Sequence, residues 1–255
     1  MSPVDSPLRE VVLLSAGPGD LELLTLKAVK ALAVAQVLLL DELVDPEITA
    51  LAPQARVIRV GKRGGCRSTP QDFICRLMRR YALQGLRVVR VKGGEALMFG
   101  RAGEEIAFLR RAGIGVRIIN GVSAAFAAAA ALGVSLTHRG HCHGVTFITA
   151  HTHDDGEPDW AALAATGTTL AIYMGVRRIA AISAGLLKCL PVQTPAALVF
   201  DASRPSERVT LTTLGGLLET ATLAGQAPGV ILVGSALAEA WPAMEVLQPG
   251  LQAMG

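Results

Sequence analysis

The chain has 255 residues, of which 51% are hydrophobic and only 4% aromatic, and its net charge is +3. This length can bury a core in one large or two smaller α/β domains. The charge is too small, and the basic residues too scattered, to favour a nucleic-acid-binding surface. The most apolar run, Val122–Leu136, is too short to cross a bilayer, so we expect no membrane association.

The cysteines and the first residues indicate the compartment. Cys66, Cys75, Cys142 and Cys189 form no Cys-x-x-Cys pair and no disulfide-rich pattern. The N-terminal sequence MSPVDSPLRE lacks a charged segment followed by an apolar one, so no signal peptide is predicted. We therefore expect a reducing, cytoplasmic location.

The first predicted unit is a strand over Glu10–Leu14, a loop over Ser15–Asp20 and a helix over Leu21–Ala35. Asp20 is a favourable N-cap for that helix. The loop contains Gly17-x-Gly19, which raises the possibility of a dinucleotide site.

Three features of this loop argue against a dinucleotide. Glu22 stands where a third glycine is needed, and Pro18 removes an amide donor. Asp20 would repel a phosphate at the helix N-terminus. The loop therefore predicts a ligand without phosphates and disfavours a Rossmann dinucleotide site.

Asp41 follows a second predicted strand, Ala35–Leu40. Functional carboxylates of open α/β sheets tend to lie at such strand ends. The alternative is a turn or helix cap near Asp45-Pro46.

A third strand, Arg56–Val60, opens into the loop Gly61–Ser68, which carries three positive charges and suits an anionic ligand. A helix over Pro70–Gln84 follows.

The stretch Val91–Glu105 has the strongest ligand-site pattern. It follows a predicted strand, Leu86–Val91, and Gly93 and Gly94 allow close approach of the backbone to a ligand. A helix over Glu104–Arg111 comes next, with acids first and arginines last. A strand end, a glycine turn and charges at a helix start predict a site; the alternative is an ordinary βα loop.

A fifth strand, Gly115–Ile119, leads through Asn120–Ser123 into an alanine-rich helix. The βαβα pattern predicts a parallel sheet covered by helices.

All five histidines lie between His138 and His153. His141, Cys142 and His143 alternate at strand spacing, which would turn Cys142 away from its neighbours. The segment from His153 to Pro158 resembles a polar linker. A metal site is the alternative interpretation of this histidine group, but the sequence favours none.

The second half contains further predicted elements. Strands are expected at Thr168–Met174, Ala196–Phe200, Arg208–Thr213 and Gly229–Val233, and helices at Arg177–Leu187 and Leu214–Leu223. The third of these strands should pair antiparallel with the second. The fold class is therefore α/β in two domains, 1–150 with a mostly parallel sheet and 151–255 with a mixed sheet, and we expect a ligand cleft between them.

Several spaced motifs resemble one family, the tetrapyrrole methylases, from about Val11 to Gly234. The motifs are AGPGDLELLTLKA (16–28), DELV (41–44), VGKRGG (60–65) followed by STPQ (68–71), KGGEALMFGRAGEE (92–105), GVSAA (121–125), LTHR (136–139) and YMG (173–175). The Gly-Lys-Arg and Leu-Thr-His-Arg segments favour the subgroup that acts on uroporphyrinogen III.

The resemblance implies a site by matching positions. Contacts to S-adenosylmethionine (SAM) correspond to Pro18, Gly93, Gly94, Glu95, Met98, Ser123, Ala124, Met174 and Ala202. Residues that act on or hold the tetrapyrrole correspond to Asp41, Lys62, Arg101, Glu104 and Arg139; Asp41, Lys62, Arg101 and Glu104 are the catalytic candidates.

The chain departs from the family pattern at several of these positions. The family usually has Asp-Pro where this chain has Glu95-Ala96, and Gly at Ser15 and Ala102. It has Tyr at Leu40 and Thr at Ser123. Glu95 keeps the charge, so SAM should still bind, but the turn should be less rigid without proline.

The implied activity is two successive methyl transfers from SAM to uroporphyrinogen III, giving precorrin-2 for sirohaem, cobalamin or haem d1, by a homodimer. SAM carries no phosphate, which agrees with the first loop, and the arginines suit a substrate with eight carboxylates. The alternatives are a methylase for a later precorrin, an RNA nucleotide or a modified histidine, a nicotinamide oxidoreductase, and a non-catalytic tetrapyrrole carrier.

Overall fold

The computed structural model describes residues 9–61, 69–150, 156–224 and 227–240, and the chain forms two compact units, Met1–Ala124 and Ala125–Gly255. The division lies earlier than the expected boundary at residue 150. The reason is strand pairing: the strand Val145–Thr149 pairs with Thr169–Tyr173 and therefore belongs to the second sheet.

The described part of the first unit holds five strands and three α-helices. The strands are β1 (Glu10–Ser15), β2 (Val37–Leu40), β3 (Arg56–Arg59), β4 (Val88–Lys92) and β5 (Gly115–Ile119). The helices are α1 (Leu26–Ala33), α2 (Gln71–Leu83) and α3 (Ala102–Arg111). Two 3-10 helices cover Leu21–Leu23 and Pro46–Leu51. The strand order is β3-β2-β4-β1-β5 and every pairing is parallel, which confirms the predicted sheet.

Strand residues bury both faces of this sheet, as a parallel sheet between helices requires. Val12 and Leu14 of β1 pack with α1, whereas Val11 and Leu13 pack with α2 and α3. The alternation follows from the period of two along a strand. It gives the sheet an apolar core on each side.

The predicted helix Leu21–Ala35 is interrupted. Asp20 accepts a hydrogen bond from the Glu22 amide at 2.8 Å and so caps a 3-10 helix. Leu24 is extended, and the Thr25 hydroxyl accepts from the Ala28 amide at 3.2 Å to start α1. Thr25 is a better helix cap than an interior residue, which explains the break.

The described part of the second unit holds five strands and four α-helices. The strands are β6 (Val145–Thr149), β7 (Thr169–Tyr173), β8 (Pro195–Phe200), β9 (Arg208–Thr213) and β10 (Gly229–Val233). The helices are α4 (Ala124–Leu132), α5 (Trp160–Ala165), α6 (Ile179–Leu186) and α7 (Leu217–Ala224), with 3-10 helices at Val176–Arg178 and Ser235–Ala240.

The second sheet has the order β6-β7-β10-β8-β9 and is mixed, since only β6 and β7 are parallel. The mixed sheet and the antiparallel β8–β9 hairpin are confirmed. β6 and α5 were not predicted, although Val145–Thr149 is rich in β-branched residues, a typical strand composition. No helix in the described residues has the length and hydropathy of a membrane span.

The alternation at residues 141–143 is not a strand. The carbonyl of His138 accepts from the amides of His141 and Cys142, both at 2.8 Å, so the chain turns there. The side chains nevertheless alternate in exposure as predicted, since Cys142 is buried and its neighbours His141 and His143 are exposed.

Candidate active site

The loops after β1 and β4 are joined by a short backbone bridge. The Ala16 amide donates to the Lys92 carbonyl at 2.8 Å. Gly17 and Gly94 exchange two hydrogen bonds, with N···O distances of 3.2 and 2.7 Å. Both glycines have positive φ, +75° and +64°, which other residues adopt only with strain. Apart from its two neighbours in the chain, no described residue has an atom within 4 Å of a Cβ built on Gly94, so the backbone is open to a ligand there.

Glu95 ties the adjoining loop after β5 to this bridge. Its carboxylate accepts from the Gly121 amide at 2.7 Å, from the Leu97 amide at 3.3 Å and from the Asn120 side chain at 3.5 Å. The loops after three neighbouring strands are therefore joined at one edge of the sheet. This edge lies at the carboxyl ends of the strands, where open α/β sheets bind ligands.

Two of the departures from the family pattern, Ser15 and Ala96, are in contact. The Ala96 amide donates to the Ser15 hydroxyl at 2.8 Å, and both residues are buried. A proline at 96 could not donate, and a glycine at 15 has no side chain to accept. This bond restrains the turn in the absence of proline, and the expected loss of rigidity stays a prediction.

Beneath the turn lies a cluster of buried charges that the sequence did not reveal. The Glu105 carboxylate, on α3, is fully buried, and Arg90 and Lys92, on β4, are each 2% exposed. Arg90 Nε lies 3.2 Å and Lys92 Nζ 3.3 Å from Glu105. The sequence does contain one indication of this cluster that was not used: Arg90 and Lys92 lie two residues apart in a buried strand, and so on the same face of it.

The surroundings of this cluster satisfy its remaining groups. Gln71 Nε2 donates to Glu105 at 2.9 Å, and Arg90 Nη1 donates to the carbonyls of Leu39 and Val91. Burial lowers the pKa of Lys92, and the neighbouring Arg90 lowers it further, while Glu105 opposes the shift. Glu105 thus keeps two buried cations compatible with a folded core.

Asp41 is joined to the same cluster. Its carboxylate lies 3.3 Å from Arg90 Nη2, and its amide donates to the Val91 carbonyl at 3.1 Å. The cap position considered as an alternative is filled by Asp45, whose carboxylate accepts from the Glu47 amide. Asp41 therefore lies at the strand end with its carboxylate oriented by a buried arginine.

Arg101, the N-cap of α3, and Glu104, in its first turn, are exposed, whereas Glu105 is buried. Arg101 Nε and Nη2 donate to the two Glu104 oxygens at 2.8 and 2.7 Å, and the side chains are 58% and 57% exposed. Hydrogen bonding to Glu104 raises the pKa of Arg101. Both residues line a groove of about 570 Å³ between α2 and α3, which also includes Gln71.

The remaining predicted residues are placed as follows. Pro18, Gly93 and Met98 are half-buried near the bridged turn, Ser123 is buried and Ala124 begins α4. In the second unit, Arg139 is exposed, Met174 is half-exposed with φ of +55°, and Ala202 is buried. The Tyr173 hydroxyl accepts from the Ala125 amide at 3.0 Å, which joins the end of β7 to the start of α4. Lys62 lies outside the described residues.

Residues 10–218 match the family model of the tetrapyrrole (corrin/porphyrin) methylases. The chain belongs to this family. The loops of the first unit are therefore those of a tetrapyrrole methylase. They are held by the Gly17–Gly94 bridge, the contacts of Glu95 and the buried cluster of Arg90, Glu105 and Lys92.

Named relatives agree with the family model. A uroporphyrinogen-III C-methyltransferase of Pseudomonas aeruginosa is 53% identical over 227 residues, covering 88% of this chain and 93% of that protein. Siroheme synthase 2 of Aeromonas hydrophila is 45% identical over 90% of this chain, but the match covers 49% of that protein.

A solved structure also resembles the chain. The uroporphyrin-III C-methyl transferase from Thermus thermophilus, complexed with S-adenyl homocysteine, has a TM-score of 0.79 at 38% identity. The match covers 90% of this chain and 99% of that one.

We predict that Ser15 and Ala96 are energetically coupled. Ser15→Gly leaves a buried amide without its acceptor, which should destabilise the protein by about 1–3 kcal/mol. Ala96→Pro removes the donor and should also destabilise it. The double variant removes both partners, so its loss of stability, measured by urea unfolding, should be smaller than the sum of the two single losses. Strictly additive losses would contradict the coupling.

We also predict that Glu105 and its neighbour Glu104 differ sharply in their effect on stability. Glu105→Gln removes the carboxylate that pairs with both buried cations and leaves Asp41, at 3.3 Å from Arg90, as the remaining acid, which should cost about 3–5 kcal/mol. Glu104→Gln is the matched control, since it makes the same chemical change one residue away and removes the charge of an exposed ion pair with Arg101, worth about 0–1 kcal/mol. Urea unfolding of both variants measures the difference, and equal losses would show that the buried cluster has no special role.

Proposed function

We propose that this chain is a SAM-dependent C-methyltransferase that converts uroporphyrinogen III to precorrin-2 by two successive methyl transfers. The main support is the site: a glycine turn that is open to a ligand follows β4, and Asp41 follows the neighbouring parallel strand β2 at the same end of the sheet. The names of the Pseudomonas aeruginosa and Thermus thermophilus relatives support the same substrate and cofactor.

SAM would bind at the bridged loops of the first unit, and the second unit also carries matched positions. Pro18, Gly93, Gly94, Glu95, Met98, Ser123 and Ala124 are the candidates in the first unit, and Met174 and Ala202 in the second. Glu95 already accepts three hydrogen bonds from its own loops, so we assign it to shaping the turn. The open space beside Gly94 is the feature that leaves room for the cofactor.

In the reaction, an electron-rich pyrrole carbon attacks the methyl group of SAM, and positioning of the two reactants supplies much of the acceleration. Positive charge then develops on the pyrrole ring. A carboxylate held in a fixed direction stabilises such charge without having to reorganise. Asp41 is suited to this role because Arg90 orients its carboxylate from the buried side.

A proton must finally leave the bridge carbon next to the methylated ring. Arg101 is unsuited to remove it, because a guanidinium is a poor base and its hydrogen bonds to Glu104 raise its pKa further. We assign Arg101, with Arg139 and Lys62, to the substrate carboxylates. The exposed Arg101–Glu104 pair can open for this purpose at small cost, because exposed ion pairs contribute little.

The wider setting is also part of the proposal. We infer a cytoplasmic homodimer whose product feeds sirohaem, cobalamin or haem d1 synthesis. The match to half of a sirohaem synthase favours the first of these pathways. The second candidate is a related methylase for a later precorrin or another substrate, since a solved cobalt precorrin-4 methyltransferase has a similar fold.

The decisive experiment is anaerobic incubation with excess SAM and uroporphyrinogen III, followed by mass analysis of the product. We expect two added methyl groups and two equivalents of S-adenosylhomocysteine. A product that stops at one methyl group would contradict the second transfer. Turnover of a precorrin but not of uroporphyrinogen III would favour the second candidate.

We predict that Gly94→Leu abolishes SAM binding while the protein stays folded. The new side chain meets no protein atom near its Cβ, so it would occupy the space open to the ligand. Gly113→Leu is the matched control, because Gly113 also has positive φ, +70°, and no atom near a Cβ, but lies just after the end of α3. Calorimetry should show SAM binding to the control and none to Gly94→Leu. Unchanged affinity in Gly94→Leu would refute the site.

A further inference from the structure

The second unit brings together three ligand-type side chains, one of which is far from the other two in sequence. Within the described residues, His138, His141 and Glu239 each offer a nitrogen or oxygen atom, and these atoms all lie within 4.8 Å of one another. His141 Nε2 is 2.9 Å from Glu239 Oε1, and the two imidazole rings have centroids 4.8 Å apart. The group is built from a turn and from the 3-10 helix Ser235–Ala240.

The backbone holds this turn in place. The His138 carbonyl accepts from the His141 and Cys142 amides, and the Gly140 amide donates to His138 Nδ1 at 3.2 Å. The Ser235 hydroxyl donates to the His141 carbonyl at 3.2 Å, which connects the turn to the start of the 3-10 helix. The three side chains are therefore presented by a connected backbone, although each of them is exposed.

We propose that His138, His141 and Glu239 form a binding site for a divalent transition metal, with Zn²⁺ as the best match. Two imidazole nitrogens and one carboxylate oxygen are ligand atoms that Zn²⁺ binds in proteins, and three protein ligands leave a position for water. Tetrahedral Zn²⁺ needs ligand atoms about 3.4 Å apart. The His141–Glu239 pair is closer than this, at 2.9 Å, and small adjustments of the exposed side chains would bring all three ligand atoms to the required spacing.

The geometry also shows why the neighbouring residues are not ligands. Cys142 is buried, and its sulfur lies 3.5 Å from the Leu136 carbonyl and 3.3 Å from the Thr169 hydroxyl. His143 is exposed but is not in the group. A bound ion would connect the turn that carries Arg139 to the 3-10 helix, and so hold Arg139 in a more fixed position.

The test is a calorimetric titration of the chelator-treated full chain with Zn²⁺. We expect one ion per chain with micromolar Kd, and at least tenfold weaker binding in His141→Ala and in Glu239→Gln. His143→Ala is the matched control, an exposed histidine two residues from His141, and it should bind as the wild type does. Zn²⁺ should also raise the unfolding temperature of the wild type and of His143→Ala, but not that of the two ligand variants.

A second probe separates this site from the thiols. Co²⁺ bound by histidine and carboxylate should give visible ligand-field absorption without the near-ultraviolet band of thiolate coordination. The proposal is wrong if the wild type does not bind Zn²⁺, if tight binding survives in His141→Ala together with Glu239→Gln, or if the Co²⁺ spectrum shows a thiolate ligand. None of these measurements uses methyl transfer, so they are independent of the proposed function.

Discussion

The carboxylate of Glu105, buried between Arg90 and Lys92, is the constraint on which the first unit depends. β4 brings two cations into the interior, and Glu105, on the helix that follows, is the buried acid that pairs with both of them. The pairing fixes the start of α3 against the end of β4. The loop between them, which contains Gly93, Gly94 and Glu95, is thereby held at both ends.

The same cluster links stability to the site. The Arg90 guanidinium contacts both Glu105 and Asp41 and donates to the carbonyls of Leu39 and Val91. Because this guanidinium is buried and held by these bonds, it orients the Asp41 carboxylate. A Cβ on Gly100 would lie 2.9 Å from Lys92 Cε, so this position in the loop must stay small to accommodate the buried lysine. Core packing and loop shape are in this way determined together.

Two of the departures from the family pattern, at Ser15 and Ala96, have one structural explanation, because the two residues are in contact. Ser15 and Ala96 stand where the resemblance leads us to expect glycine and proline, and in the fold they are acceptor and donor of one buried hydrogen bond. Proline restricts a turn through its own φ, whereas this bond restricts it through a neighbour. In the second unit, the contact of His141 is likewise with a residue that is distant in sequence: its imidazole pairs with Glu239, which lies 98 positions further along the chain.

The sequence alone determined the α/β class, most strand positions, the parallel and mixed sheets, and the glycine turn, because these depend on local periodicity and on backbone freedom at single residues. It did not predict the break at Thr25 or strand β6, and it placed the domain boundary at residue 150, whereas the first unit ends at Ala124. Only the tertiary structure showed that Glu105, rather than its neighbour Glu104, is buried, and that Arg90 joins it to Asp41. Those partners lie on different elements, and no local pattern specifies which charges a fold will bring together.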